Sequence, residues 1–153
     1  MKGRLYVGAQ GVLIVALVLA PRWAATWSVP PAVSAAGWVI AAAGGAVLVV
    51  ALAQLGRALT PLPEPRADGE LTTKGLYRWV RHPIYSGVLA MAWGWTCAHL
   101  SWSTVALAAV LTALLNAKAR YEERLLVDHY PEYEGYRSRT PRFVPRPRRS
   151  GSS

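Results

Sequence analysis

The chain has 153 residues, the length of one domain, and 53% of them are hydrophobic, with seven Trp and a mean hydropathy of +0.22. This composition favours an integral membrane protein over a soluble one. The formal net charge of +9 would suit binding to nucleic acid, but the sequence also contains long apolar segments. These segments argue instead for contact with anionic membrane lipids, so we expect no nucleic-acid partner.

Cysteine and histidine usage excludes further classes of site. The single cysteine, Cys97, allows neither an intrachain disulfide nor a zinc cluster built from thiolates. The three histidines are scattered without a metal-ligand spacing, so we predict no metal site.

Two long apolar segments come first. Residues 5–20 are apolar apart from Gln10 and resemble a signal peptide, but three more apolar segments follow, so we interpret them as a first membrane helix. After a loop with interfacial Trp residues, residues 33–55 exceed the roughly 20 residues that span a bilayer. Small residues in this run predict a face that a neighbouring helix approaches closely. They are Gly37, Ala41, Gly44 and Gly45.

Residues 69–85 hold the densest set of chemical side chains, around Arg81-His82-Pro83. The proline favours an extended His82 and suits the first turn of a helix. A helix beginning there leaves three backbone amides free to bind an anion. They belong to Ile84, Tyr85 and Ser86. The alternative is that Arg81 and His82 are ordinary interfacial anchors.

Residues 84–100 and 104–117 are apolar and predict a helical hairpin, each half of which is short for a span. With four spans, both termini and residues 56–81 fall on one side, and only Arg22 among the Lys and Arg residues falls on the other. The positive-inside rule then places both ends and the motif in the cytoplasm.

A charged amphipathic helix is predicted from Lys118 onward. Helical spacing puts Lys118 and Glu122 on one side and turns Glu123 away, so we expect Glu122 to face a cavity and Glu123 to meet solvent. The alternative is a pair of solvated acids with a surface bridge from Lys118 to Glu122. Residues 130–147 either cap the site or lie on the lipid surface, and residues 146–153 are predicted to be a basic, disordered tail.

One constellation resembles a known family across residues 55–145. It consists of Gly-Leu-Tyr-Arg-Trp-Val-Arg-His-Pro-Ile-Tyr-Ser-Gly at 75–87, a helical hairpin, Glu-Glu-Arg-Leu-Leu at 122–126, and Thr-Pro-Arg-Phe-Val-Pro at 140–145. These motifs resemble the isoprenylcysteine carboxyl methyltransferases and their prokaryotic relatives, which are similar to phospholipid N-methyltransferases.

The resemblance implies an all-α, polytopic membrane bundle of about four transmembrane helices, with a cytoplasmic cofactor-binding loop and a C-terminal amphipathic helix. Residues 1–145 would form one domain in the bacterial plasma membrane. The implied activity is O-methylation of a lipophilic substrate, a prenylcysteine-like or other lipid carboxylate, by S-adenosylmethionine. The positions matching cofactor contacts are Gly69, Glu70, Leu71, Thr72, Tyr77, His82, Pro83, Ile84, Tyr85 and Glu122.

Lys118 stands where the eukaryotic members have a substrate-binding arginine, with Arg120 as a nearby alternative, and we predict that these two orient the substrate. A carboxylate acceptor needs no general base, whereas an amine or thiol would need one, for which His82 or Tyr77 are candidates. Two other functions stay open. One is an NADPH-dependent membrane reductase that uses Arg78, Arg81 and Arg142, and the other is a non-catalytic membrane scaffold.

Overall fold

A computed structural model describes residues 2–23, 25–56 and 71–146. These residues form helices and no strands, which confirms the predicted all-α class. The α-helices are α1 (Lys2–Leu19), α2 (Pro31–Leu55), α3 (Pro83–Ala98), α4 (Trp102–His129) and α5 (Tyr133–Arg139), with short 3-10 helices at Ala20–Arg22 and Gly75–Arg78.

Local sequence signals explain where most helices begin and end. α2 and α3 each have proline in the first turn, where a missing N–H costs nothing. Gly56 follows α2 with a φ of 50°, a conformation that glycine adopts without a steric penalty. Ser101 caps α4 through a capping box with Thr104, so the helix begins at Trp102, two residues before the apolar segment 104–117.

α4 differs from its prediction. The apolar segment 104–117 and the amphipathic helix predicted from Lys118 are one continuous helix of 28 residues. No glycine or proline lies between Ser101 and Pro131, so nothing in the backbone interrupts the helix where the side chains change from apolar to charged.

Three helices of the described part are long and apolar enough to cross a membrane: Gly3–Arg22, Pro31–Leu55 and Trp102–His129. α3, with 16 residues, spans only about 24 Å, less than the hydrocarbon thickness of about 30 Å. It nevertheless connects the end of the bundle that holds His82 to the opposite end. At that opposite end the Trp27 backbone amide donates to the Leu100 carbonyl (2.8 Å), and the Trp27 ring packs edge-on against Trp102.

α2 and α3 make the closest helix contact, through the small-residue face that the sequence predicts. A Cβ added to Gly94 would lie 2.5 Å from the Gly37 carbonyl oxygen, and one added to Gly87 would lie 2.7 Å from the Gly44 carbonyl oxygen. Gly45 points the other way, with nothing within 4 Å of an added Cβ. Glycines therefore bring the two backbones into direct contact.

α4 supplies most of the remaining core and packs against α1 and α3. Its buried Leu111 and Leu115 join Leu17 of α1 in one apolar cluster. The Trp95 indole N–H donates to the Leu17 carbonyl (3.1 Å), which ties α3 to the end of α1. Helices α1, α3 and α4 thereby share one apolar core.

The chain after α4 folds back onto the segment before α3. The Arg81 and His82 amides donate to the carbonyls of Pro141 (2.9 Å) and Arg142 (3.1 Å). Of the two placements that the sequence leaves open for residues 130–147, the described part, up to residue 146, packs on the motif and covers it.

Candidate active site

His82 lies between two neighbouring acids of α4. Its ring is buried, with Nε2 at 3.1 Å from Glu123 Oε1 and Nδ1 at 3.6 Å from Glu122 Oε2. Both ring nitrogens therefore face carboxylates. The structure brings His82 and Glu122 together, as the sequence predicts.

Glu123 is the more buried acid, and the prediction that it meets solvent was wrong. It is 3% exposed and binds two guanidinium groups: Arg81 Nη2 at 3.0 Å, and Arg142 through Nη2 at 2.7 Å and Nε at 2.9 Å. The hydrogen bond to Glu123 raises the pKa of Arg142, which stays charged. Helical spacing predicts the angle between Glu122 and Glu123. It does not predict that the tail packs against Glu123.

Glu122, Tyr85 and Lys118 lie on the other side of the imidazole. The Tyr85 hydroxyl donates to Glu122 Oε1 (2.5 Å), and its ring stacks parallel to His82 with centroids 5.3 Å apart. Lys118 Nζ lies 5.0 Å from the centre of the Tyr85 ring, a cation–π contact. We call His82, Tyr85, Lys118, Glu122 and Glu123 the His82 cluster.

Lys118 is buried at 6% exposure, so the alternative of a surface bridge to Glu122 is wrong. Its ammonium instead donates to Gln10 Oε1 of α1 (3.2 Å). No role is predicted for Gln10 from the sequence, although it is the one amide side chain of α1. A buried ammonium needs such a partner, but the sequence does not show that Lys118 is buried.

Tyr77 supports the cluster from the 3-10 helix before α3. Its hydroxyl is buried, 3.5 Å from the Ala51 carbonyl of α2. Burial, with a further contribution from the Glu122 carboxylate, raises the pKa of Tyr77 to about 12. The phenol is therefore neutral near pH 7, which argues against Tyr77 as a general base.

The start of α3 offers fewer amides than predicted. The Ser86 amide donates to the His82 carbonyl (3.0 Å), so it is already bonded. Within the part of the chain that the structure describes, the amides of Ile84 and Tyr85 have no such acceptor. These two remain to bind an anion beside Pro83.

The other predicted site residues contribute less. Leu71 and Thr72 are half-buried in irregular backbone, and no side-chain bond joins them to the His82 cluster among the described residues. Gly69 and Glu70 lie outside the described residues. Arg120 is exposed and does not join the cluster; its carbonyl accepts from Arg124 (3.3 Å). Within residues 2–23, 25–56 and 71–146, no group of three or more His, Cys, Asp or Glu could hold a metal ion.

All five residues of the His82 cluster lie inside one family match. The family model described as phospholipid methyltransferase matches residues 32–133, more than half of the chain. The chain belongs to the phospholipid methyltransferase family. Membership in this family agrees with the predicted resemblance to isoprenylcysteine carboxyl methyltransferases.

A solved membrane methyltransferase has the same overall fold as this family member. The chain is similar to the eukaryotic intramembrane Ras methyltransferase ICMT (isoprenylcysteine carboxyl methyltransferase), with a TM-score of 0.68 at 20% identity. The similarity covers 95% of this chain and 53% of that one, and it confirms the predicted fold.

Two curated relatives carry names from metal resistance. The chain is 35% identical over 127 residues to the cobalt-zinc-cadmium resistance protein CzcN of Cupriavidus metallidurans, which covers 82% of this chain and 54% of CzcN. It is 33% identical over 138 residues to the nickel-cobalt-cadmium resistance protein NccN of Alcaligenes xylosoxydans xylosoxydans, covering 88% of this chain and 60% of NccN. This family member thus spans little more than half the length of these relatives.

Proposed function

We propose that this chain is an S-adenosylmethionine-dependent methyltransferase of the membrane that acts on a lipophilic substrate, with a prenylcysteine-like or other lipid carboxylate as the preferred acceptor. The observation that carries the proposal is that the match to a methyltransferase family contains every residue of the His82 cluster. The cluster lies at one end of a helical bundle with apolar outer surfaces, where a soluble donor and a lipid acceptor can meet.

The residues present fit the methyl donor. S-adenosylmethionine carries an ammonium group, a carboxylate and a sulfonium, and when bound it supplies an electrophilic methyl group. Glu122 offers a half-buried carboxylate for the ammonium, and its Oε2 faces only the His82 ring at 3.6 Å among the described residues. The amides of Ile84 and Tyr85 suit a carboxylate at the start of α3. Of the other predicted cofactor residues that the structure describes, Leu71, Thr72, Tyr77 and Pro83 complete the proposed donor site.

Lys118 suits an anionic acceptor. Its ammonium has three donors, and Gln10 is the one hydrogen-bond acceptor it has within the described chain. Nζ lies 5.0 Å from the centre of the Tyr85 ring, so its remaining N–H bonds can hold an oxygen of the acceptor near the donor site. Lysine does this as a point charge rather than as the fork that arginine provides.

His82 favours an acceptor that is already ionised. Because both ring nitrogens face carboxylates, neither is placed to take a proton from a substrate. Tyr77 is a neutral phenol near pH 7, because burial raises its pKa, so it does not serve as the base either. A carboxylate needs no base before it attacks a methyl carbon, so the chain has only to position it and exclude water.

Binding of S-adenosylhomocysteine to purified protein tests the donor site. We expect Glu122→Gln to weaken binding by about tenfold or more, because a charge-assisted contact is replaced by a neutral one. Glu132→Gln, an exposed acid after α4, is the matched control and should bind like the wild type. Equal binding by wild type, Glu122→Gln and Tyr77→Ala would remove this cofactor assignment.

Methyl-labelled S-adenosylmethionine with membrane extract tests the acceptor. We expect label in the lipid fraction that mild alkali releases as volatile methanol, because methyl esters hydrolyse under these conditions and N-methyl groups do not. Label that resists alkali would assign an amine or thiol acceptor and contradict the carboxylate. If Lys118→Met lost no labelling relative to the exposed control Arg124→Gln, Lys118 would have no part in acceptor binding.

A further inference from the structure

A basic cleft lies on the far side of Glu123 from Tyr85 and Lys118. It has a volume of about 650 Å³ and lies between the 3-10 helix Gly75–Arg78, α5 and the chain that follows α5. Among the described residues, six arginines and no acid line it; they are Arg78, Arg81, Arg137, Arg139, Arg142 and Arg146. We call it the arginine cleft.

The described acids neutralise only some of these charges. Glu123 binds Arg81 and Arg142, and Arg137 pairs with Glu134 at 3.5 Å on the surface. The other three guanidinium groups form no ion pair with any described residue. They are Arg78, Arg139 and Arg146. Like charges around one cavity repel one another, so a multiply charged anion in the cleft would be stabilised.

Two features of the cleft floor resemble a built site. Arg81 has a side chain 10% exposed, and its Nη1 donates to the carbonyls of Arg137 (2.6 Å) and Thr140 (2.7 Å), which fixes both the guanidinium and the chain around it. Arg142 uses Nε, Nη1 and Nη2 on Glu123 and Asn116, which leaves the second hydrogen on each terminal nitrogen. These donors are held in place before any ligand arrives.

The donor set favours a phosphate group. Guanidinium forks match phosphate oxygens in pairs, and the polar residue Thr73 also lines the cleft. Trp79 lines it too and is 43% exposed, with Arg78 stacked 5.2 Å from its ring centre. Exposed Trp beside basic residues is typical of the level of lipid headgroups.

We propose that the arginine cleft binds a phosphate-bearing anion, at a site separate from the His82 cluster. The phosphate belongs either to an anionic lipid headgroup or to a soluble phosphate compound. This inference does not depend on methyl transfer. It does connect the two sites, because Arg81 and Arg142 form the cleft floor and also hold Glu123, which bonds His82.

The first experiment is a titration of the purified full chain in detergent with inorganic phosphate, against chloride at equal ionic strength, followed by thermal unfolding. We expect phosphate to raise the unfolding temperature in a saturable way. Arg78→Gln/Arg139→Gln should weaken phosphate binding about tenfold or more, because both side chains are exposed and neither forms an ion pair with a described residue. Arg4→Gln/Arg124→Gln removes the same charge from exposed positions elsewhere and should bind like the wild type.

The second experiment distinguishes the sources of phosphate. The chain is placed in nanodiscs of phosphatidylcholine with one-fifth phosphatidylglycerol, and the lipids that it retains are measured by native mass spectrometry. If the wild type and the control Arg4→Gln/Arg124→Gln retain phosphatidylglycerol and the cleft variant Arg78→Gln/Arg139→Gln loses it, the ligand of the cleft is a lipid headgroup. Saturable inorganic phosphate binding without lipid retention assigns a soluble ligand.

Two results would overturn the proposal. In the first, cleft variant and control behave alike in both experiments, which would make the effect one of overall charge. In the second, Arg78→Gln/Arg139→Gln also loses S-adenosylhomocysteine binding, which would make the cleft part of the cofactor site. A failure of the donor assignment alone, in which Glu122→Gln binds S-adenosylhomocysteine normally, leaves the cleft proposal unaffected.

Discussion

Glu123 joins parts of the chain that lie far apart in sequence. Its carboxylate accepts from Arg81 and His82, just before α3, and from Arg142, beyond α5. Removing a carboxylate from water is costly, and only several charged or polar partners in good geometry offset that cost. The acid is therefore one of the contacts that hold the tail over the motif, beside the backbone hydrogen bonds of Arg81 and His82.

Glu123→Gln tests this role. The glutamine amide has one acceptor oxygen and no charge. The guanidinium groups of Arg81 and Arg142 therefore lose their buried counter-ion. We expect a loss of about 3–5 kcal/mol in the free energy of unfolding, the cost of breaking a buried ion pair by removing one partner. Thermal unfolding in detergent measures it, and trypsin should cut more rapidly at the tail arginines.

Glu132→Gln is the control for Glu123→Gln, because Glu132 is exposed; its effect should stay within about 0.5 kcal/mol. Unchanged unfolding and unchanged trypsin sensitivity in Glu123→Gln would show that the tail is held without this acid.

At the level of elements, α2 and α3 form a pair whose backbones touch. The contact is made at Gly37 with Gly94 and at Gly44 with Gly87. Larger residues at these positions would force the helices apart, and the motif at the start of α3 would move with them. The helix pair thus sets the position of His82 relative to α2.

Gly44→Val and Gly45→Val form a matched pair that tests the contact. At Gly44 a Cβ would lie 2.7 Å from the Gly87 carbonyl oxygen, whereas at Gly45 it meets nothing within 4 Å. We expect Gly44→Val to destabilise the protein by about 1–3 kcal/mol or more, as overpacking does, and Gly45→Val to have little effect. Thermal unfolding of both variants decides the matter, and equal effects would contradict the close contact.

The sequence predicts the helices better than the site. Long apolar runs, the prolines at 31 and 83, and Gly56 mark helix existence and ends by local rules. The continuity of α4 was missed because a change in polarity at Lys118 was interpreted as a boundary, although the backbone continues. Glu123 and Gln10 could not be placed because their partners are 19 to 108 residues away. Periodicity describes one helix and carries no information on what packs against it.

At the scale of the molecule, charge separates the two ends. The His82 cluster and the arginine cleft lie at the end of the bundle where α1 begins, whereas Arg22 lies near the end marked by Trp27 and Trp102. By the positive-inside rule we propose that the charged end faces the cytoplasm of a bacterial inner membrane, which would give the site access to a soluble methyl donor.

Reporter fusions test this orientation. A fluorescent protein fused after Ser153 should fluoresce, and alkaline phosphatase at the same position should be inactive, because each folds on one side of the membrane only. The same reporters inserted in residues 25–30, between α1 and α2, should give the opposite result. Two positions with the same reporter activity would contradict the proposed arrangement.

The paired glycine contacts of α2 and α3 also limit how the protein can move. Gly37 and Gly44 are seven positions apart, so the two contacts are separated by roughly 10 Å along the axis. Contact at two positions along the helix axis restricts both the rotation of α3 relative to α2 and its translation along α2. Any opening and closing during a catalytic cycle must therefore come from displacement of α1, α4 or the terminal segment against this rigid half.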